Sequence, residues 1–173
     1  NLSHCLAVNA RQRPDGEALV YGDLRLDWRT LDIRVGHLAA ALAGRGLTEG
    51  GIVALMMKNS PAFVELIYAI GHLGGVVLPL NFRLSAEEVD YIANHAGAVM
   101  IIADDLFESQ AAGARLPMIV LDAAAQIDIG AALLDVSGGR QSIDIVPRGR
   151  DDLFRLMYTS GTTSRPKGVV HSY

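Results

Sequence analysis

The sequence predicts an α/β fold in which a largely parallel sheet is flanked by helices and preceded by an N-terminal helix and a β-hairpin. Half of the 173 residues are hydrophobic, which is more than a disordered chain contains and enough to build a core. Short apolar runs alternate along the chain with segments of helical periodicity. Strands that alternate with helices are joined by right-handed crossovers, and they form a parallel sheet.

The individual elements follow from the spacing of the apolar residues. A period of three or four positions predicts an amphipathic helix, and an unbroken apolar run predicts a strand that is buried on both faces. The predicted helices are 3–13, a segment ending at Gly44, 61–73, 85–95 and a poorly patterned stretch at 105–114. The predicted strands are 17–21, 24–28, 52–57, 76–78, 98–102, 117–121, 153–158 and 168–171.

Short signals mark where these elements begin and end. The Gly-Asp pair at 22–23 lies between two strand-like runs, as is typical of a tight hairpin, and either Asp27 or Thr30 is in position to cap the next helix. A capping box at 85–88 opens the fourth helix. Glycines, a proline and scattered charges predict a surface connection over 137–150.

Charge and cysteine content exclude several classes of partner. Lys and Arg number 15 against 19 Asp and Glu, a formal balance of −4, so the basic surface expected for nucleic acid or an anionic membrane is missing. Cys5 is the only cysteine and forms neither an intramolecular disulfide nor a thiolate metal cluster. The chain shows no secretory leader, and we expect it in a reducing compartment, the cytoplasm.

The apolar stretch 61–80 is as long as a membrane span. It contains Glu65, His72 and Pro79, which are costly at the centre of a bilayer. A helix followed by a buried strand is therefore predicted there, and no transmembrane segment is expected.

The strongest chemical signal lies near the C-terminus. Five of the six residues from 159 to 164 bear a hydroxyl group, and the sixth is Gly161, which lets backbone N–H groups turn inward around an anion. Arg165 and Lys167 add positive charge. A strand that leads into such a loop suits a polyphosphate, with a plain polar turn as the alternative. The spacing matches neither a Walker motif nor the dinucleotide-binding glycine pattern.

Other candidate residues receive structural interpretations. The acidic pairs at 104–105 and 151–152 are expected in solvated turns, because neighbouring carboxylates point apart and suit acid–base catalysis poorly. Met56 and Met57 are expected in the core. No histidine pair has the spacing of a zinc motif. His171 follows the hydroxyl-rich segment closely, and a position near that segment is one alternative for it.

The segment Tyr-Thr-Ser-Gly-Thr-Thr-Ser-Arg-Pro-Lys-Gly at 158–168 resembles the phosphate-binding signature of the adenylate-forming (AMP-binding) superfamily, which includes the acyl-CoA synthetases. Residues 26–31 and 71–81 resemble two earlier segments of that family, so the resemblance covers nearly the whole chain. It implies a Rossmann-like subdomain. It also makes 1–173 the N-terminal part of an incomplete adenylation large domain, with the last strand and the phosphate-binding loop at 151–173.

The resemblance implies a two-step reaction. A carboxylic acid attacks the α-phosphate of ATP to give an acyl-adenylate and pyrophosphate, and the thiol of coenzyme A then takes the acyl group. ATP, Mg²⁺ and coenzyme A are the implied cofactors and co-substrates, and Thr159 is the implied magnesium contact. The residues implied in phosphate binding are Thr159, Ser160, Gly161, Thr162, Thr163, Ser164 and Lys167.

One position departs from the family, which has glycine where this chain has Ser164. If the backbone there requires a positive φ, a side chain costs about 1–2 kcal/mol. We expect the loop to bind nucleotide nonetheless, because the extra hydroxyl group offsets part of that cost by contacting phosphate.

No catalytic residue of the family falls within this chain, so the isolated chain is expected to be inactive. The Leu-Pro-Leu-Asn form at 78–81 favours acyl- or aryl-CoA synthetases, with fatty acid metabolism as one setting, over the adenylation modules of peptide synthetases. Two further alternatives stay open: a non-catalytic nucleotide- or phosphate-binding module, and a structural piece that pairs with a separate remainder. Assembly into a homo-oligomer also stays open.

Overall fold

The computed structural model describes residues 1–122, 129–134, 143–159 and 166–173. The α-helices are α1 (Leu2–Gln12), α2 (Trp28–Gly44), α3 (Pro61–His72), α4 (Ala86–Ala96), α5 (Glu108–Ala111) and α6 (Ile129–Leu134). The strands are β1 (Glu17–Tyr21), β2 (Leu24–Asp27), β3 (Ile52–Met56), β4 (Val76–Pro79), β5 (Ala98–Asp104), β6 (Met118–Leu121), β7 (Leu153–Thr159) and β8 (Lys167–Ser172).

The first of two compact units contains α1, the hairpin β1–β2, α2, α3 and α6. Asp27 is the N-cap of α2, and its carboxylate accepts the backbone N–H of Thr30 at 2.7 Å, which decides between the two predicted caps. The apolar face predicted for α2 is buried, as the exposures of Leu31, Val35, Leu38, Ala39 and Leu42 show. The unit consists of Asn1–Glu49, Asn59–Gly74 and Gln126–Arg148.

A buried ion pair joins α2 to α3 within this unit. Arg34 and Glu65 are 2.9 Å apart, and their side chains are 8% and 0% exposed. The charge of Glu65 is thus compensated at a helix interface, as a buried carboxylate requires. The helix and strand predicted over 61–80 are confirmed as α3 and β4. Among the described helices, none is both long enough and apolar enough to cross a membrane.

Part of the connection predicted over 137–150 belongs to the first unit. Residues 143–149 contain neither helix nor strand. The backbone N–H of Val146 donates to the carbonyl oxygen of His72 at 2.8 Å, and a ring nitrogen of His72 lies 2.8 Å from the carbonyl oxygen of Ile143. These two hydrogen bonds hold the segment against the end of α3. Residues 137–142 lie outside the described residues.

The second compact unit contains the six-stranded sheet, with the strand order β6-β5-β3-β4-β7-β8. The first five strands of that order pair in parallel, and β8 runs antiparallel to β7. The predicted α/β fold with a largely parallel sheet is therefore confirmed. The unit consists of Gly50–Lys58, Gly75–Ala125 and Gly149–Tyr173.

The centre of this sheet forms the hydrophobic core of the second unit. Its strands contribute fully buried aliphatic side chains, on which the apolar face of α4 packs. Met56 and Met57 are 0% and 6% exposed, which confirms their predicted packing role. The core includes Ala54, Met56, Val76, Leu78, Ile101 and Ala103 from the strands, with Val89, Ile92 and Ala93 from α4.

One predicted detail is confirmed in a more divided form, and another is wrong. The stretch 105–114 is helical as predicted, but it consists of a 3₁₀ turn, the short α5 and a second 3₁₀ turn. Gly113 packs so closely against α4 that a Cβ there would lie 2.3 Å from the carbonyl oxygen of Ala86, so tertiary packing sets the path of the chain. Asp104 is not in a solvated turn: it is 1% exposed, and its carboxylate accepts the backbone N–H of Lys58 at 2.8 Å.

Candidate functional site

The candidate site is built on the antiparallel hairpin of β7 and β8. Thr159 at the end of β7 pairs with Lys167 at the start of β8, and Tyr158 pairs with Gly168. Each strand therefore extends one residue further into the loop than the sequence predicts. Thr159 and Lys167 are both exposed. A hydroxyl group and an ammonium group thus come from directly opposite positions at the base of the hydroxyl-rich segment.

Most of the predicted phosphate-binding residues lie outside the described residues. They are Ser160, Gly161, Thr162, Thr163 and Ser164. Their role stays a prediction. The structure describes the two ends of the segment and brings them together through the pairing of β7 with β8.

A cavity of about 310 Å³ lies beside the base of this hairpin. One wall comes from the end of β4 and the residues that follow it, and a second comes from α4. The end of β7 and Pro166, which precedes β8, complete the cavity. The carboxyl ends of parallel strands are where open α/β sheets bind ligands, and β4 and β7 both end here. The lining residues are Pro79, Leu80, Asn81, Leu84, Glu88, Ile92, Tyr158, Thr159 and Pro166.

Backbone N–H groups hold two of the polar side chains that line this cavity. The Oε2 atom of Glu88 accepts the N–H of Ser85 at 2.8 Å, as part of the capping box that the sequence predicts. The Oδ1 atom of Asn81 accepts the N–H of Arg83 at 3.0 Å. Of the lining residues, the sequence singled out only Thr159 for a binding role, because the others come together from separate elements.

Tyr158 connects the end of β7 to α4. Its Oη atom lies 2.6 Å from Nδ1 of His95, and the two rings meet edge-on with centroids 5.8 Å apart. Burial raises the pKa of Tyr158, and the neighbouring Tyr91 raises it further, so the phenol stays protonated at neutral pH. Sequence reasoning missed this contact because the two residues are 63 positions apart and no local pattern links them.

His171 lies away from the base of the hairpin. It pairs with Arg155 in the register of β7 and β8, and its Nδ1 atom lies 3.5 Å from the guanidinium group of Arg155. Arg155 is about 13 Å along β7 from Thr159, at about 3.3 Å a residue. His171 therefore lies further along the hairpin than its base, and a place near residues 160–164 stays a prediction.

Metal-binding groups are sparse in the part of the chain that the structure describes, where no three His, Cys, Asp or Glu side chains are grouped to hold an ion. The predicted magnesium contact, Thr159, is an exposed residue that lines the cavity. A hydroxyl oxygen fits magnesium as one ligand among several oxygens, and not as a site by itself.

A second polar group lies at the carboxyl end of β5. Asp104 accepts the backbone N–H of Lys58, which follows β3. Burial is the main cause that raises the pKa of this carboxyl, and the nearby Asp105 adds to it, whereas the hydrogen bond from Lys58 opposes the shift. The bond ties the end of β3 to the end of β5.

A parallel α/β sheet with a polar loop at the carboxyl ends of its strands is the architecture of many nucleotide-binding enzymes. Residues 6–173 match the family of AMP-binding enzymes, and the chain belongs to this family. Its fold is that of the adenylate-forming enzymes.

Relatives of known structure and activity support this assignment. The chain is 36% identical over 162 residues to a feruloyl-CoA synthase from Amycolatopsis sp, covering 93% of this chain and 31% of that protein. It superposes with a TM-score of 0.84 and 30% identity on the inhibitor-bound N-terminal domain of FACL13 from Mycobacterium tuberculosis, covering 99% of this chain and 44% of the other. It also superposes on o-succinylbenzoate CoA synthetase (MenE) from Bacillus subtilis in complex with the acyl-adenylate intermediate OSB-AMP. The TM-score is 0.81 and the identity 27%, over 97% of this chain and 42% of the other.

The chain spans about a third of the length of the curated relatives that it matches. Those relatives are acyl-CoA ligases. The family and the fold implied by the sequence motifs are therefore confirmed.

Proposed function

We propose that this chain is the N-terminal part of an acyl-CoA synthetase, an acid–thiol ligase that uses ATP. An oxygen of the carboxylic acid attacks the α-phosphorus of ATP, and the bond from that phosphorus to pyrophosphate breaks. The thiol of coenzyme A then attacks the carbonyl carbon of the acyl-adenylate, and AMP leaves. The products are the acyl-CoA thioester, AMP and pyrophosphate.

One observation supports this proposal above the others: the pairing of Thr159 with Lys167 at the base of the hydroxyl-rich segment. The leaving pyrophosphate gains negative charge as the bond to the α-phosphorus breaks. Donors that are already in position stabilise such charge without reorganisation, and one donor is worth about 3 kcal/mol in comparable sites. Lys167 would contribute an ammonium group, Thr159 a hydroxyl group, and the segment 160–164 further donors.

We propose that Thr159 is also a contact of the magnesium ion that accompanies ATP. Its exposed hydroxyl oxygen is of the ligand type that magnesium prefers, and phosphate oxygens and water would complete the coordination. The ion, when bound, neutralises part of the phosphate charge. The hydroxyl group orients the phosphates by the same contact.

The cellular setting is also part of the proposal. We place the enzyme in the cytoplasm, because a single cysteine suits a reducing compartment. Fractionation of the source cells with an antibody against the chain checks this placement; recovery from an exported fraction would contradict it.

The decisive experiment is carboxylate-dependent exchange of pyrophosphate into ATP by the full-length polypeptide, tested with fatty, aromatic and amino acids. Exchange with a fatty or aromatic acid, followed by thioester formation with coenzyme A, is expected. Exchange with amino acids alone and transfer to a carrier-protein thiol would instead make it the adenylation module of a peptide synthetase. Binding of ATP without exchange for any acid would favour a non-catalytic nucleotide-binding module.

The isolated 173-residue chain is proposed to form no acyl-adenylate, because it spans about a third of its relatives' length. The same exchange assay on the chain alone, beside the full-length polypeptide, checks this expectation. Detectable exchange by the chain alone would show that its own residues suffice for the first step.

A further inference from the structure

Tyr158, which immediately precedes the proposed phosphate-binding residues, has close contacts on two sides. On one side, the Oη atom of Tyr158 and the Nδ1 atom of His95 share a hydrogen bond of 2.6 Å. His95 lies in the last turn of α4, and its ring also lies 5.4 Å, centroid to centroid, from that of Tyr91 one turn earlier. The phenol is thus fixed to a helix whose start and end are both capped.

On the other side, the ring of Tyr158 covers Gly168 on β8. A Cβ at position 168 would lie 3.1 Å from both Cε2 and Cζ of the tyrosine, which is tighter than ordinary contacts. Glycine at this position leaves room for the ring beside β8. The two contacts together hold the ring between α4 and β8.

This tyrosine is adjacent to both described ends of the segment. It precedes Thr159 in β7, and its partner Gly168 follows Lys167 in β8. A displacement of the tyrosine would therefore move the two residues that are proposed to contact phosphate.

We propose that His95 and Tyr158 are positioning residues for the triphosphate of ATP: their hydrogen bond ties the base of the β7–β8 hairpin to α4 and holds Thr159 and Lys167 ready for the nucleotide. This inference rests on the proposed function. Both residues act through Thr159 and Lys167 and do not themselves contact the nucleotide. The expected signature is a selective loss of ATP affinity, because the acid and coenzyme A do not depend on this contact.

The test uses single and double variants of the full-length enzyme. Tyr158→Phe keeps the ring over Gly168 and removes only the hydroxyl group, and His95→Ala removes the other partner. A hydrogen bond between neutral side chains is worth about a 3- to 10-fold change in an equilibrium constant. Each variant is expected to raise the KM and the Kd for ATP by about that factor, with kcat at saturating ATP and the KM for the acid within about twofold.

Two further variants separate positioning from simple structural support. The double variant should lose no more ATP affinity than the more severe of the two single variants, because the same hydrogen bond is lost in each case. His95→Asn, which offers a polar atom near the place of Nδ1, should recover most of the ATP affinity. Tyr21→Phe is the matched control, since it removes a tyrosine hydroxyl from the exposed strand β1 and should change nothing.

Three results would overturn the inference. An active enzyme whose ATP affinity is unchanged by Tyr158→Phe and His95→Ala would reduce the contact to structural support. Additive losses in the double variant would show that the two residues act independently. A wild-type polypeptide that neither binds ATP nor catalyses exchange would remove the proposed function itself, and this inference with it. Thermal melting of each variant identifies any that misfolds, and the Kd is then measured on the folded fraction.

Discussion

The centre and the edge of the same sheet differ sharply. In β3 four of five residues are buried, and the neighbouring Leu78 of β4 is 0% exposed. In β8 five of six residues are exposed, and Val170 is 67% exposed. The parallel strands at the centre supply the core, whereas the antiparallel hairpin at the edge supplies the polar ends of the proposed phosphate site. The hairpin is not wholly outside the core, because Leu156 of β7 belongs to it, but the exposed residues of the sheet are concentrated there.

The difference has a physical origin. A strand that is hydrogen bonded on both sides and covered by helices excludes water, so its residues are selected for packing. A hairpin at the edge keeps side chains accessible to a ligand, and it leaves apolar residues and backbone groups open to other strands. Within the described residues β8 ends the sheet on this side.

Truncation of a core residue gives the largest expected effect. It tests whether the centre of the sheet contributes more to the stability of the fold than the edge does. Leu78→Ala removes buried methyl groups and should lower the free energy of unfolding by about 2–5 kcal/mol. Val170→Ala should change it by less than about 0.5 kcal/mol, because that side chain is already largely in water. Urea denaturation of the full-length polypeptide, with hydrogen exchange of the β4 amides, measures both variants. Similar losses of unfolding free energy in the two variants would contradict the conclusion that the centre of the sheet contributes more to stability than its edge.

Removal of the ammonium group of Lys167 tests whether the hairpin at the edge of the sheet contributes to the reaction. Lys167→Ala should lower kcat/KM for ATP about 10- to 100-fold, the value of a charge-assisted hydrogen bond, and leave the melting temperature unchanged. Lys167→Arg keeps the charge and should recover part of the loss. Arg25→Ala, which removes an exposed cation from β2, is the control. A fall in melting temperature that matched the fall in activity would mean that Lys167 supports the fold instead.

The smallest effect concerns Asp104, a buried polar group at the otherwise apolar centre. Its pKa is raised above the ordinary value of 3.8, mainly because burial penalises the charged form. The favourable contribution of the protonated carboxyl is present below that ordinary value and is lost as the pH rises through the raised pKa.

Asp104→Asn removes this dependence while keeping an oxygen for the N–H of Lys58. The melting temperature of the variant relative to wild type should therefore increase as the pH rises from about 3 to about 7. Melting curves across that range measure the difference. Asp151→Asn, at a side chain that is 98% exposed, serves as the control and should show a flat difference. A flat difference for Asp104→Asn as well would show that burial does not perturb this carboxyl.

Several elements were predictable because their signals are local. The N-cap at Asp27, the capping box of α4 and the apolar runs of β3 and β4 each depend on residues a few positions apart. The stretch 105–114 is helical as predicted, but its division into three short segments was not foreseen, because no local pattern records the close packing of Gly113 against α4. The burial of Asp104 depends in the same way on β3, a strand distant in the sequence.

By itself, the sequence determined the fold class, the order of the elements other than α6, and the composition of the hydroxyl-rich segment, because periodicity and motif spacing act between near neighbours. Only the tertiary structure decided that Thr159 and Lys167 lie opposite each other, that a cavity forms beside them, and that His95 meets Tyr158. These contacts join residues from different elements. They arise when packing of the sheet brings those elements together, which is a property of the whole folded unit.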